Sequence, residues 1–134
     1  MDTKELVKLA IEARKNAYAP YSKYRVGAAL LTADGRVFTG CNVENASYPI
    51  TCCAERTAIF KAVSEGSKDF TAIAVAGGHE DEAEPFSNRA MPCGMCRQAI
   101  LEFGRDIKVI AAVSENDYKE YKISELIPHG FVLE

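Results

Sequence analysis

The chain reads as an α/β protein, a three-layer α/β/α sandwich around a mixed central sheet of about five strands. Short apolar runs with strand character alternate with helical patterns along its 134 residues. Turn signals separate them: Asp34-Gly35 has hairpin chemistry, and Gly66 and Gly104 each follow a helical stretch. The length suits one domain, expected to span residues 1–134, with a real hydrophobic core.

Leu6, Leu9, Ala10, Ala13 and Ala17 recur at helical spacing, so a first helix is expected from Thr3, a candidate N-cap, to about Ala17. Ala19-Pro20-Tyr21-Ser22 ends it. Tyr24 to Leu31 and Arg36 to Cys41 form a hairpin, and Asn42 to Ile50 is a polar loop. A second helix runs from near Cys52 to Ser64. Phe70 to Ala76 is a buried strand, and Gly77 to Ala90, with its acidic run, is a surface loop. A third helix covers Cys93 to Phe103. A buried strand at Ile107–Val113, an edge strand at Tyr118–Ile123 and one helical turn at Ser124–Ile127 complete the order α-β-β-α-β-α-β-β.

Net charge is −3, which argues against a nucleic-acid polymer as partner and for a small, neutral or weakly polar ligand. The charged N-terminus lacks a signal-peptide core, and no apolar run is long enough to span a membrane. A cytoplasmic location follows as the expectation. There the five cysteines stay reduced, and metal ligation or catalysis is the better default for clustered ones.

Two segments carry chemistry, each where a loop enters a helix: Thr51-Cys52-Cys53-Ala54-Glu55-Arg56 and Pro92-Cys93-Gly94-Met95-Cys96-Arg97. Cys-x-x-Cys at a helix start favours thiolates, and alone it suits a metal or a redox dithiol equally. The first segment breaks the tie. Cys53, Cys93 and Cys96 together make a zinc site with one open position, the catalytic arrangement. Zinc brings the pKa of a bound water towards neutrality, and Glu55 has the chemistry to move protons beside it. The zinc-deaminase pattern is His-x-Glu, or Cys-x-Glu, followed by Pro-Cys-x-x-Cys. Cys53-Ala54-Glu55 and Pro92-Cys93-Gly94-Met95-Cys96 match it in order.

Across essentially its whole length the sequence resembles the small homotetrameric cytidine deaminases. Ala19-Pro20-Tyr21-Ser22-Lys23-Tyr24, Val26-Gly27-Ala28-Ala29-Leu30, Gly40–Tyr48, Cys53–Ala58 and Glu125-Leu126-Ile127-Pro128 with Phe131 carry the likeness. The resemblance implies a cytidine deaminase-like fold and one zinc per chain. It also implies hydrolytic deamination of cytidine and deoxycytidine to uridine and deoxyuridine in pyrimidine salvage. In that reading Glu55 shuttles protons to the ring nitrogen and the leaving amine. Asn42 and Glu44 bind the ribose, Tyr24 stacks on the pyrimidine, and Ala54 faces the base through its backbone. Ala46 and Tyr48 reach a neighbouring subunit's site, and Phe131 adds an aromatic wall from another. Arg56 offsets the charge of the thiolate set, with Gln98 expected to support the same surroundings. Cys41 and Cys52 are expected to be small buried hydrophobes, and His79 and His129 non-ligands. The alternative enzyme reading is deamination of a related cytosine nucleoside, such as an aminoacyl-nucleoside antibiotic. The non-enzymatic alternatives are a closed structural zinc module and a metal-free dithiol.

Overall fold

Every strand except the outermost pair alternates small and branched apolar residues, so both faces of the sheet need cover. The computed structural model describes residues 1–133. Helix α1 (Thr3–Ala13) tightens into a 3₁₀ turn at Arg14–Asn16 and leads to β1 (Tyr24–Thr32) and β2 (Val37–Cys41). A 3₁₀ turn at Tyr48–Ile50 precedes α2 (Ala54–Ser64). Then come β3 (Phe70–His79), α3 (Gly94–Leu101), β4 (Lys108–Ser114), β5 (Asp117–Lys122) and α4 (Ile123–Leu126). Strand order is β2-β1-β3-β4-β5, with β3 and β4 parallel and the other pairings antiparallel. The expected mixed five-stranded sheet is therefore present.

One face carries α1. Leu6, Val7 and Ala10 pack on Ala29, Ala72, Ala74, Ala76, Ile110 and Ala112. These alanines let the helix lie close, and a Cβ at Gly27 would sit 2.0 Å from the Ala10 carbonyl. The other face carries α2, α3 and α4. Ala58, Ile59, Ala62, Ile100, Leu101 and Ile123 meet Ala28, Leu30, Ile73 and Val109 there. Because side chains alternate along β1, Tyr24 and Val26 belong to this second face, and Arg25 and Gly27 to the first.

The structure corrects several boundaries. Asp2, not Thr3, caps α1, its carboxylate accepting from the Glu5 amide at 2.8 Å. The helix ends four residues before Ala17, because Arg14 turns inward as the backbone tightens. Strand β3 continues through Gly77 and Gly78 to His79, paired with Val26, Arg25 and Tyr24 of β1, where the sequence suggested a loop. That segment is also not simply a solvated surface loop: Phe86 within it is buried.

Candidate active site

Chain topology brings the start of β1 beside the end of β3, and the N-termini of α2 and α3 converge there. Cys53 is the N-cap of α2 and Cys93 the N-cap of α3, both in extended backbone and neither using its side chain as a cap. Cys96 lies one turn into α3, fully buried. The three sulfurs lie within 4.8 Å of one another, with Cys53 and Cys93 3.6 Å apart. Sulfurs at about 2.3 Å from a tetrahedral zinc would be roughly 3.8 Å apart, so the donor set fits that metal. No fourth Cys, His, Asp or Glu among the described residues joins the cluster, which leaves one position open.

Two helix N-termini direct unpaired amides and partial positive charge at these sulfurs. Cys53 is held down to about 5, first by donation from the Cys96 thiol and then by Arg56 and Cys93. The same partnership pushes the Cys96 thiol up, reinforced by burial. Arg56 donates from Nη2 to Cys53 Sγ at 3.5 Å, and its own basicity rises through that bond. Its Nε is buried without a partner.

Glu55, the second residue of α2, is 3 % exposed. Burial, reinforced by the Cys53 thiolate, pushes its carboxyl up to about 7. It lines a cavity of about 350 Å³ with Tyr24, Val26, Asn42, Thr51, Cys53, Ala54, Arg89, Ala90, Met91 and Cys93. A proton-holding carboxyl thus opens onto a space that touches two of the three sulfur-bearing residues.

The remaining expected site residues separate into those within this cavity and those outside it. Tyr24, Asn42 and Ala54 line it. The Asn42 amide is, however, partly committed to the protein: Oδ1 accepts from Val26 N at 2.9 Å and Nδ2 donates to Tyr24 O at 2.8 Å. It prolongs the ladder at the edge of β1 and retains a second N–H and a second lone pair. Glu44 lines an adjoining cavity of about 440 Å³ with Tyr21, Ser22, Tyr48 and Thr51, and its carboxylate accepts from the Tyr21 and Ser22 amides and the Ser22 hydroxyl. Thr51 borders both cavities. Gln98 Nε2 donates to the Phe131 carbonyl at 2.7 Å and so tethers the C-terminal segment to α3. Ala46 lies on the surface, Tyr48 and Phe131 are 69 % and 68 % exposed, and none of the three lines the Glu55 cavity of its own chain. Cys41, Cys52, His79 and His129 lie outside the sulfur cluster.

Val26, Thr51, Arg89, Ala90 and Met91 were not anticipated. Val26 shares a strand face with Tyr24 by two-residue alternation, and Arg89–Met91 run directly into Pro92-Cys93, so position along the chain contained a signal for both.

An open thiolate metal site with a buried carboxyl at its edge is the equipment of a metal-assisted hydrolytic enzyme. The profile of the family described as "Cytidine and deoxycytidylate deaminase zinc-binding region" matches residues 1–113. A cytidine deaminase of Halalkalibacterium halodurans is 50% identical over 135 residues, spanning 100% of this chain and 97% of the relative. The crystal structure of a cytidine deaminase from Burkholderia pseudomallei superposes with a TM-score of 0.88 at 43% identity, covering 98% of this chain and 100% of that one. A blasticidin-S deaminase of Bacillus cereus is 38% identical over 125 residues, covering 92% of this chain and 88% of the relative. The chain belongs to the zinc-binding cytidine and deoxycytidylate deaminase family.

Proposed function

We propose that residues 1–134 act as one catalytic domain that hydrolyses cytidine and deoxycytidine to uridine and deoxyuridine with release of ammonia. The observation that carries this reading is the buried Glu55 carboxyl, raised to about 7, at the wall of a cavity shared with Cys53 and Cys93. Cys53, Cys93 and Cys96 hold the zinc, which when bound supplies Lewis acidity and a reactive water at neutral pH. With the metal bound, Glu55 would pass one proton of the attacking water to the pyrimidine ring nitrogen. It would then move the second, from the new hydroxyl on the amino-bearing carbon, to the departing amine, so that water's two protons end on the base and in ammonia. A carboxyl poised near the working pH gives and takes protons with similar ease. Arg56 and the helix N-termini offset the excess negative charge of the thiolate set.

Tyr24 packs against the pyrimidine, and the Ala54 backbone faces the base. Asn42, through its spare amide capacity, and Glu44 bind ribose hydroxyls. Glu44 opens on the neighbouring cavity across Thr51, which supports a ribose extending from the first cavity into the second. The exposed rings of Tyr48 and Phe131, with Ala46 on the same surface loop as Tyr48, support a homotetramer in which neighbouring chains complete each site. The need for three reduced thiolates supports a cytoplasmic role in pyrimidine salvage.

Zinc content and loss of cytidine absorbance, compared between wild type and Glu55→Ala, test the reading. About one zinc per chain is expected in both proteins, with turnover only in the wild type. Activity on an aminoacyl cytosine nucleoside but not on cytidine or deoxycytidine would overturn the substrate assignment. An equally active Glu55→Ala would overturn the mechanism.

A further inference from the structure

We propose that Arg14 is a positioning residue for the base-binding cavity, clamping both of its walls from the opposite face of the sheet. The proposal deepens the cytidine deaminase reading and rests on it.

Arg14 is only 8% exposed, a charged group set among the α1-side packing. Its Nε donates to Arg25 O at 3.4 Å, and its Nη2 donates to Gly78 O at 3.2 Å and His79 O at 3.0 Å. One guanidinium therefore ties the beginning of β1 to the end of β3, where Tyr24 pairs with His79. The fourth contact is the Phe86 ring, whose centroid lies 4.5 Å from the guanidinium carbon.

The glycine pair in β3 carries this clamp through the sheet. Consecutive strand residues face opposite sides. A Cβ at Gly78 would lie 2.8 Å from Phe86 Cδ1 and 2.5 Å from Glu82 Oε2, on the Arg14 side. A Cβ at Gly77 would lie 3.2 Å from Tyr24 Cε1, on the cavity side. Side chains at either position would hold the layers apart, so the absence of both lets Phe86 and Tyr24 seat directly against the same backbone.

Phe86 also anchors the second wall. Its amide donates to Val113 O at 2.8 Å. From there the chain crosses the strand ends to Arg89, which donates to Ala111 O at 3.0 Å and Asp117 Oδ1 at 2.9 Å. Arg89, Ala90 and Met91 then line the same cavity as Tyr24 and lead to Cys93. Arg14 touches neither Glu55 nor the sulfurs, so loosening it should weaken the grip on the base more than the chemistry.

The test measures kcat and KM for cytidine and the inhibition constant for uridine in zinc-loaded Arg14→Met, Arg14→Lys and Phe86→Leu. Phe103→Leu, at the distant Phe70 contact, serves as a control for simple destabilisation. For Arg14→Met, KM and the uridine constant should rise together by about tenfold, while kcat falls by less than about threefold and zinc is retained. Arg14→Lys should keep most of the defect, because one ammonium cannot span three carbonyls from the guanidinium position. Phe86→Leu should show a smaller version of the same signature. Unchanged KM and uridine constant in Arg14→Met, with a Tm loss like that of Phe103→Leu, would overturn the proposal, as would wild-type behaviour of Arg14→Lys. If Arg14→Met does not fold, the lysine and Phe86 variants decide by the same criteria. A wild-type protein inert towards cytidine would instead mark the failure of the functional reading itself.

Discussion

Replacing Glu55 with glutamine should cut turnover by orders of magnitude and, in the metal-free protein, raise stability relative to wild type as pH rises. Folding takes the carboxyl from 4.5 in the unfolded chain to about 7, chiefly by burial. Below pH 4.5 both states hold the proton and the carboxyl imposes no ionic penalty. Between 4.5 and 7 the unfolded chain releases its proton while the folded chain keeps it, so stability falls through that window. Above 7 the loss is complete. A rise of this size corresponds to about 3 kcal/mol at 1.36 kcal/mol per unit. Glutamine does not titrate, and any fixed cost of burying its amide cancels between two pH values. The stability of Glu55→Gln relative to wild type should therefore improve by about 3 kcal/mol between pH 4 and pH 8. In urea unfolding this is a relative midpoint shift of about 1–3 M. Chelator-treated protein is the right material, since bound zinc would add its own charge beside the carboxyl. A difference that stays flat from pH 4 to pH 8 would refute the buried, proton-holding carboxyl. Activity in the loaded variant should fall by roughly 10²–10⁴-fold.

Arg56→Gln removes the charged donor to Cys53 Sγ, and zinc should transfer to a competing chelator about 10–100-fold more readily. In the metal-free form of that variant Cys53 should rise from about 5, so its alkylation at pH 6 should slow relative to wild type. Gly27→Ala drives a Cβ into the Ala10 carbonyl and should cost about 1–3 kcal/mol or more in thermal or urea unfolding. Sedimentation should find a tetramer. Tyr48→Ala should raise KM or dissociate the assembly, and a fully active monomer would contradict the shared-site proposal.

The parts of the molecule readable from sequence are those written in contiguous residues. The inner strands β1, β3 and β4 announced themselves by apolar runs. The sulfur cluster and Glu55 were readable because two short helix-entry motifs hold every donor, and the fold needs only to bring two helix starts together. The extension of β3 was hidden because Gly77-Gly78 looks like a turn. Only its pairing with Arg25 and Val26 makes it a strand. The burial of Phe86 was hidden for a related reason: a single aromatic in an acidic stretch has no periodicity, and the groove that receives it is made by α1 and Arg14. The Gln98 tether was hidden because a sequence position near Cys96 says nothing of the C-terminal segment lying against α3. Asn42 serves the ladder of β1 as well as the cavity, a double use that appears only once Tyr24 and Val26 are set beside it.

The site gathers negative charge where the rest of the core is apolar. Cys53 brings thiolate character beside the Cys93 and Cys96 sulfurs, and Glu55 adds a carboxyl excluded from water. Opposing them among the nearest groups are Arg56 and the two helix ends. That balance leaves the metal-free fold short of positive charge at one point, which is the condition for binding a divalent cation tightly. It also explains why Glu55 is held as an acid: a second full negative charge beside Cys53 is resisted both by burial and by the thiolate. The same residues that would be poor choices for stability are therefore mutually consistent once a cation joins them. Arg14 stands apart from this cluster, on the far side of the sheet, where its charge meets backbone carbonyls rather than the thiolates. On the proposed reading, the metal centre sets the chemistry while the start of β1, the end of β3 and the segment leading to Pro92 set the shape into which the base fits.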